Sequence, residues 1–75
     1  MKAYILIHAR TGKTGGLAAR VRDVRGITAA DAVTGDYDVI AACEVADVKA
    51  LGDLILDGLH HVEGVEKTST CIVVG

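Results

Sequence analysis

Four short, largely apolar stretches along this chain are bounded by polar or glycine-bearing segments, and they predict β-strands. The predicted strands cover residues 2–9, 27–34, 37–45 and 68–74. All four are rich in the β-branched, aromatic and small apolar residues that suit a pleated surface. Gly35 and Asp36 form a turn signal between the second and third stretches, which predicts that these two strands form a hairpin.

Two other segments carry apolar residues at helical spacing. The first stripe consists of Leu17, Val21 and Val24. The second consists of Val48, Leu51, Ile55, Leu59 and Val62. Asp47 precedes the second stripe as an expected N-cap. Gly26 and Gly64 follow the two stripes, where helices end in a left-handed residue that glycine adopts most easily.

The chain also contains an internal repeat. Residues 21–27 recur as residues 59–65, 38 positions later, and the agreement lies in apolar positions and one glycine. The element order is therefore β-α-β-β-α-β, which predicts one domain over residues 1–75 with a ferredoxin-like α+β sandwich. We expect a four-stranded antiparallel sheet with both helices on one face. The predicted spatial order of the strands is fourth, first, third, second.

The face of the sheet without helices is predicted to be partly apolar. Tyr4, Leu6 and His8 point to one side of the first strand, and Ile40 and Ala42 share a side of the third. The chain is 51% hydrophobic without a single tryptophan or phenylalanine. An exposed apolar face of this kind is typical of an interface, so we expect a dimer packed through the open faces of its sheets. A monomer with a somewhat apolar surface is the alternative.

Composition argues against several classes of protein. The net charge of −2 gives no electrostatic reason to bind nucleic acid. No apolar run approaches the roughly 18 residues that a membrane span needs, and no signal peptide is expected. The two cysteines, Cys43 and Cys71, suit a reducing cytoplasm. They are predicted to be small buried residues on strands too far apart for a disulfide.

Three motifs invite a catalytic or metal-binding interpretation. Residues 12–14 read Gly-Lys-Thr, but a phosphate-binding P-loop needs a further glycine where Ile7 stands. His60 and His61 are adjacent on a predicted helix, where neighbouring side chains point about 100° apart and cannot share one metal ion. His8 could have Asp38 or Glu44 as an acidic partner, but no motif places a nucleophile beside it. No catalytic group, metal or cofactor is expected.

Polar chemistry concentrates in two segments where the two halves of the repeat differ. One is the hairpin turn, residues 34–38, and the other is the hydroxyl-rich stretch of residues 68–70. Carboxylates in the first segment can accept from an ammonium group, and hydroxyls in the second can donate to a carboxylate. Together they would suit a zwitterion. The alternative is that turn-forming and β-branched residues occur there only for structural reasons.

Residues 4–7, 24–27, 34–41 and 62–70 resemble the effector-binding domain of the Lrp/AsnC transcriptional regulators, also called the RAM domain. The resemblance implies a dimeric α+β barrel, in which two sheets pack face to face. It also implies rings of dimers, often octamers, that bind small effectors such as amino acids between dimers. The site residues that the resemblance implies are Gly35, Asp36, Tyr37, Asp38, Thr68, Ser69 and Thr70.

The resemblance leaves three hypotheses for function. Family regulators carry a helix-turn-helix domain before this one, so the chain is expected to be a stand-alone effector-binding domain that does not itself bind DNA. It would act in the cytoplasm and modulate full-length regulators through mixed assemblies. The second hypothesis is a small monooxygenase-like enzyme with a cavity on the open sheet face, lined by His8, Tyr4 and an acid. The third is a purely structural assembly module.

Overall fold

The computed structural model describes all 75 residues, and its centre is one four-stranded antiparallel sheet. The strands are β1 (Lys2–Ala9), β2 (Ile27–Ala32), β3 (Val39–Glu44) and β4 (Val65–Ile72). Their spatial order is β2-β3-β1-β4, which confirms the predicted order and the ferredoxin-like α+β fold. The connections from β1 to β2 and from β3 to β4 pass through the helical segments. The first strand, β1, is central, and the last strand, β4, is the edge strand beside it.

The helical segments are shorter and less regular than the sequence suggests. Helix α1 covers Leu17–Arg22, and α2 covers Val48–Asp53. Helix α2 continues through a π-helical turn, Leu54–Gly58, and a 3-10 turn, Leu59–His61. None of these helices is long and apolar enough to cross a membrane.

The predicted cap and the predicted glycines of the helices are confirmed. The Asp47 carboxylate accepts a hydrogen bond from the Ala50 backbone N–H at 2.8 Å, as an N-cap does. Gly26 and Gly64 have φ angles of 97° and 100°, which lie in the left-handed region. Each glycine turns the chain from a helical segment into the strand that follows.

Element boundaries and one helical position differ from the predictions. Strand β4 begins at Val65 rather than at residue 68, because the chain enters the sheet directly after Gly64. Val48 is 67% exposed although it lies in the predicted apolar stripe, and it is the first residue of α2. Leu54 is buried instead, and the π turn places it five residues before the next buried position, Leu59.

The core lies between the helices and one face of the sheet. Its largest fully buried side chains are Ile5, Ile7, Leu17, Leu59, Val21, Val39 and Cys43. Burial raises the pKa of the Cys43 thiol, and its backbone and charged neighbours have smaller effects, so this cysteine behaves as a neutral core residue.

The opposite face of the sheet has no helix over it. Residues directly opposite one another on antiparallel strands share a face. Tyr4 pairs with Ala42 and Cys71, and Leu6 pairs with Ile40. Tyr4 is 39% exposed and Ile40 is 36% exposed. We call this surface the open face, and its mixed apolar character agrees with the prediction from the strand pattern.

The prediction for the cysteines is right for one residue and wrong for the other. Cys43 is buried on the helix side, but Cys71 is exposed, because it points to the open face where no helix covers it. The two thiols are free and lie on opposite sides of the sheet, on strands separated by β1.

Candidate functional site

The hairpin between β2 and β3 contains four of the seven predicted site residues. Its two ends are joined by a hydrogen bond from the Val33 N–H to the Asp38 carbonyl oxygen at 3.0 Å. Gly35 has a φ of 133°, a conformation that residues with side chains rarely adopt. Asp36 is exposed at the tip of the turn. The turn therefore presents a carboxylate and backbone groups to solvent from a closed loop.

Asp38 anchors this hairpin to the end of β1. One of its carboxylate oxygens, Oδ2, accepts from the Ala9 backbone N–H at 2.7 Å. Its own N–H donates to the Ile7 carbonyl oxygen at 2.9 Å. These bonds lie beside an irregularity in the pairing of β1 with β4, between His8 and Ala9. Asp38 thus uses part of its carboxylate to hold two chain segments together, which its sequence position did not suggest.

Tyr37 lies against a residue that sequence reasoning did not include in the site. Its ring centre is 4.6 Å from that of His8, and the two ring planes are inclined by 49°. Both side chains are half-buried. His8 is directly opposite Lys67 on β4, so an ammonium group stands on the same face. The two rings form an aromatic wall where the open face meets the hairpin.

The three hydroxyl residues of β4 are divided between the two faces of the sheet. Ser69 is opposite Leu6, and it therefore shares the open face with the aromatic wall. Thr68 and Thr70 are opposite Ile7 and Ile5, whose side chains enter the core, so both threonines point to the helix side. The Thr68 hydroxyl is 3.4 Å from Nε2 of a helical histidine, His60.

The structure therefore brings some predicted residues together and separates others. Tyr37 and Asp38 of the hairpin contact the end of β1, where His8 is opposite Lys67. Ser69 lies two residues further along β4 on the same face, and Gly35 and Asp36 belong to the same turn as Tyr37. Thr68 and Thr70 are on the other face of the sheet. The signal that finds His8 and Lys67 is the strand order, because the end of β1 must lie beside the beginnings of its antiparallel neighbours β3 and β4.

No part of the chain shows the ligand set of a metal site. No three histidine, cysteine, aspartate or glutamate side chains come close enough to hold one ion. Glu44, one of the acids considered as a partner for His8, binds the N-terminal ammonium group at 3.0 Å instead. It pairs with Lys2, at the opposite end of β1 from His8.

The fold and the site together define a ferredoxin-like domain with a polar hairpin beside a partly apolar, exposed sheet face. The chain belongs to the Lrp/AsnC ligand binding domain family, whose model matches residues 2–75. This finding confirms the resemblance noted in the sequence.

Individual relatives agree with this assignment. The HTH-type transcriptional regulator FL11 of Pyrococcus furiosus is 33% identical over 72 residues, which cover 96% of this chain and 47% of the regulator. The chain thus spans about half the length of this curated relative. The family model describes a ligand binding domain, and this relative is a transcriptional regulator.

Solved structures show the same fold. TTHA0845 from Thermus thermophilus superposes with a TM-score of 0.89 and 30% identity, over 99% of this chain and 92% of that protein. The transcriptional regulator NMB0573 of Neisseria meningitidis, solved as a complex with L-Met, has a TM-score of 0.86 and 26% identity. That match covers 99% of this chain and 49% of the regulator.

Proposed function

We propose that this domain binds a free amino acid at the hairpin end of its open face and passes the signal on through its state of assembly. The observation that carries the proposal is the anchoring of the hairpin by Asp38, because the bond to Ala9 at 2.7 Å holds the turn in place without a ligand. A site that is already ordered loses little conformational entropy on binding.

The charges at this end of the sheet suit the two ends of an amino acid. The exposed Asp36 carboxylate and the second carboxylate oxygen of Asp38 can accept from the ammonium group. Lys67 and Ser69, which are exposed on β4, can donate to the carboxylate. The Tyr37 ring supplies an apolar surface for the side chain of the ligand.

The proposed assembly follows from the open face. Tyr4 and Ile40 are large apolar residues in its centre, and burying them against a second sheet would remove them from water. We infer a dimer through this face, and rings of dimers in which a neighbour closes the ligand site. The same surfaces would allow mixed assemblies with full-length regulators of this family.

Two relatives of the chain support this role. The Neisseria meningitidis regulator was solved with an amino acid, L-Met, and the Pyrococcus furiosus relative is a transcriptional regulator. The net charge of −2 supports a role in which these 75 residues do not contact DNA themselves. We propose that the domain acts in the cytoplasm, on transcription or on amino-acid metabolism.

The enzyme hypothesis receives less support from the geometry. It requires His8, Tyr4 and an acid around one cavity, but His8 packs on Tyr37 and one candidate acid, Asp38, is engaged by the backbone N–H of Ala9. Glu44 lies at the far end of β1. The hydroxyl residue that shares the face of His8, Ser69, is opposite Leu6 rather than His8.

The experiment is thermal unfolding of the assembled protein in the presence of each common amino acid at a fixed protein concentration. A ligand at 100 times its dissociation constant adds about 2.7 kcal/mol to the free energy of unfolding. In a domain of this size that raises Tm by several degrees. We expect one amino acid, or a chemically related group of them, to produce this rise.

Matched variants separate a specific site from a general effect. Asp36→Asn removes an exposed carboxylate in the hairpin, and we expect it to weaken or abolish the rise in Tm. Asp57→Asn removes an equally exposed carboxylate on the π turn, and the rise should persist. An oligomeric preparation that responds to no amino acid would refute the proposal and favour the structural assembly module.

A further inference from the structure

A second concave surface lies outside the hairpin site, between the loop that follows β1 and the turn that precedes β4. Its volume is about 400 Å³, within the range of small-molecule sites. The residues that matter for its chemistry are Arg10, Lys13, His60, His61, Glu63 and Gly64. Nitrogen donors therefore dominate its wall, in contrast to the overall charge of −2.

Several hydrogen bonds fix the wall of this cavity. The Arg10 N–H donates to the Gly64 carbonyl oxygen at 2.8 Å. The Arg20 guanidinium, behind the cavity, donates to the Glu63 carbonyl oxygen through Nε at 3.2 Å and through a terminal nitrogen at 3.1 Å. A side chain at Gly64 would place its Cβ 2.9 Å from the Lys13 carbonyl oxygen. The loop and the turn thus touch closely and form a cavity that exists before any ligand arrives.

The donors that point from this wall are largely free. Arg10 makes a single side-chain bond, from Nε to the Val65 carbonyl oxygen at 3.5 Å, and its two terminal nitrogens have no protein acceptor. His61 makes no hydrogen bond to the protein, and His60 engages only one ring nitrogen. These groups are exposed, so water satisfies them until a ligand replaces it.

The single acid of the cavity is already engaged. The Glu63 carboxylate is 3.4 Å from the Lys13 ammonium group, so the Arg10 charge remains uncompensated. A zwitterionic amino acid would find only this one acid, already paired with Lys13, for its ammonium group. An anion with several oxygens would instead accept from Arg10, Lys13 and the imidazoles at the same time.

We propose that this cavity binds the phosphate group of a small phosphorylated metabolite, as a second ligand site separate from the hairpin. Arg10 is the central ligand, because its guanidinium can donate two parallel bonds to phosphate oxygens. Lys13 adds a point charge, and His61 closes the opposite side. The remaining volume accommodates the part of the metabolite that carries the phosphate.

The test is an NMR titration of the complete, isotope-labelled chain with inorganic phosphate and with pyrophosphate, at an ionic strength held constant with sodium chloride. We expect saturable shifts in the amide signals of residues 10–13 and 60–64. Chloride alone should produce no saturable shift. The dissociation constant should rise at least tenfold in Arg10→Gln and several-fold in His61→Ala. The His61→Ala substitution removes no hydrogen bond of the folded protein.

Arg25→Gln is the matched control, since Arg25 is an exposed arginine at the other end of the helices and should bind phosphate as the wild type does. Shifts that rise linearly without saturation would overturn the proposal. Binding that is unchanged in both Arg10→Gln and His61→Ala would overturn it as well. The amino-acid response at the hairpin does not depend on either outcome, so each proposal fails or succeeds alone.

Discussion

Among single residues, Asp38 has the largest influence on the geometry of the hairpin site. Its Oδ2 accepts from the Ala9 N–H, and its own N–H donates to Ile7, so it joins β3 to the end of β1. A carboxylate that accepts from a backbone donor contributes more than a neutral acceptor does. The residue therefore has a positioning role that is independent of any ligand.

Two substitutions separate this positioning role from a role in binding charge. Asp38→Ala removes the acceptor and leaves a partly buried N–H without a partner, so the free energy of unfolding should fall by about 1.5–3 kcal/mol. Asp38→Asn retains an acceptor oxygen and should lose less than about 1.5 kcal/mol. Urea unfolding at one protein concentration measures both. Equal losses in the two variants would contradict the assigned bond.

The amino-acid response of Asp38→Asn then reports on charge alone. If the ammonium group of the ligand uses the free oxygen of Asp38, the neutral variant should fold well and respond less to the amino acid. A full response in Asp38→Asn would leave Asp36 as the only carboxylate that contacts the ligand.

The residues of the site were only partly predictable from sequence. The hairpin and its glycine were located because turn-forming residues at this spacing have a direct physical signature. The contact between Tyr37 and His8 could not be predicted in this way, because it depends on how side chains from different parts of the chain pack together. The separation of Ser69 from Thr68 and Thr70 follows from strand alternation, so that signal was present in the sequence.

At the scale of single elements, glycines set the paths of the chain into the sheet. Gly64 is buried, has a φ of 100°, and lies so close to the Lys13 carbonyl oxygen that no side chain fits. Gly52 is within α2, and a Cβ added there would meet no atom within 4 Å. The same substitution should therefore have opposite effects at these two positions.

Gly64→Ala should lower the free energy of unfolding by about 1–3 kcal/mol, because the left-handed backbone and the close contact both oppose a side chain. Gly52→Ala should raise it by about 1 kcal/mol, since alanine favours a helix interior. Chemical unfolding followed by circular dichroism measures both. A Gly64→Ala variant as stable as the wild type would contradict the path assigned to the turn before β4.

Regular elements were easier to predict than irregular ones. The bounds of β1 matched because a continuous run of apolar, strand-forming residues ends at the polar, glycine-bearing loop of residues 10–16. The π turn was not predicted. Its wider turn buries Leu54, which lies outside the expected apolar stripe, and no sequence signal marks that change. The early start of β4 at Val65 was obscured by the charged residues that follow it, Glu66 and Lys67.

At the scale of the whole molecule, a domain this small has a limited core, and one face of its sheet lacks a covering layer. A chain of about this length buries only about 60% of its unfolded surface when it folds alone. Tyr4, Ile40 and Cys71 are exposed on the open face. The proposed dimer would cover these residues and add a second apolar layer to the molecule.

Ile40→Asp tests this interface, because a carboxylate on the open face would have to be desolvated between the sheets. We expect dissociation to shift to at least tenfold higher protein concentration. Val48→Asp is the matched control, since Val48 is an exposed apolar residue on α2 and its substitution should leave assembly unchanged. Thiol labelling gives a second readout, as Cys71 should react slowly in the wild type and rapidly in Ile40→Asp.

The most direct measurement is the mass of the wild-type protein by sedimentation velocity at micromolar concentration, with folding verified on the same sample. The proposed assembly predicts a dimer or a multiple of dimers, because in it a second copy covers the open face and a neighbouring copy closes the hairpin site. A folded monomer of 7.8 kDa under these conditions would contradict it.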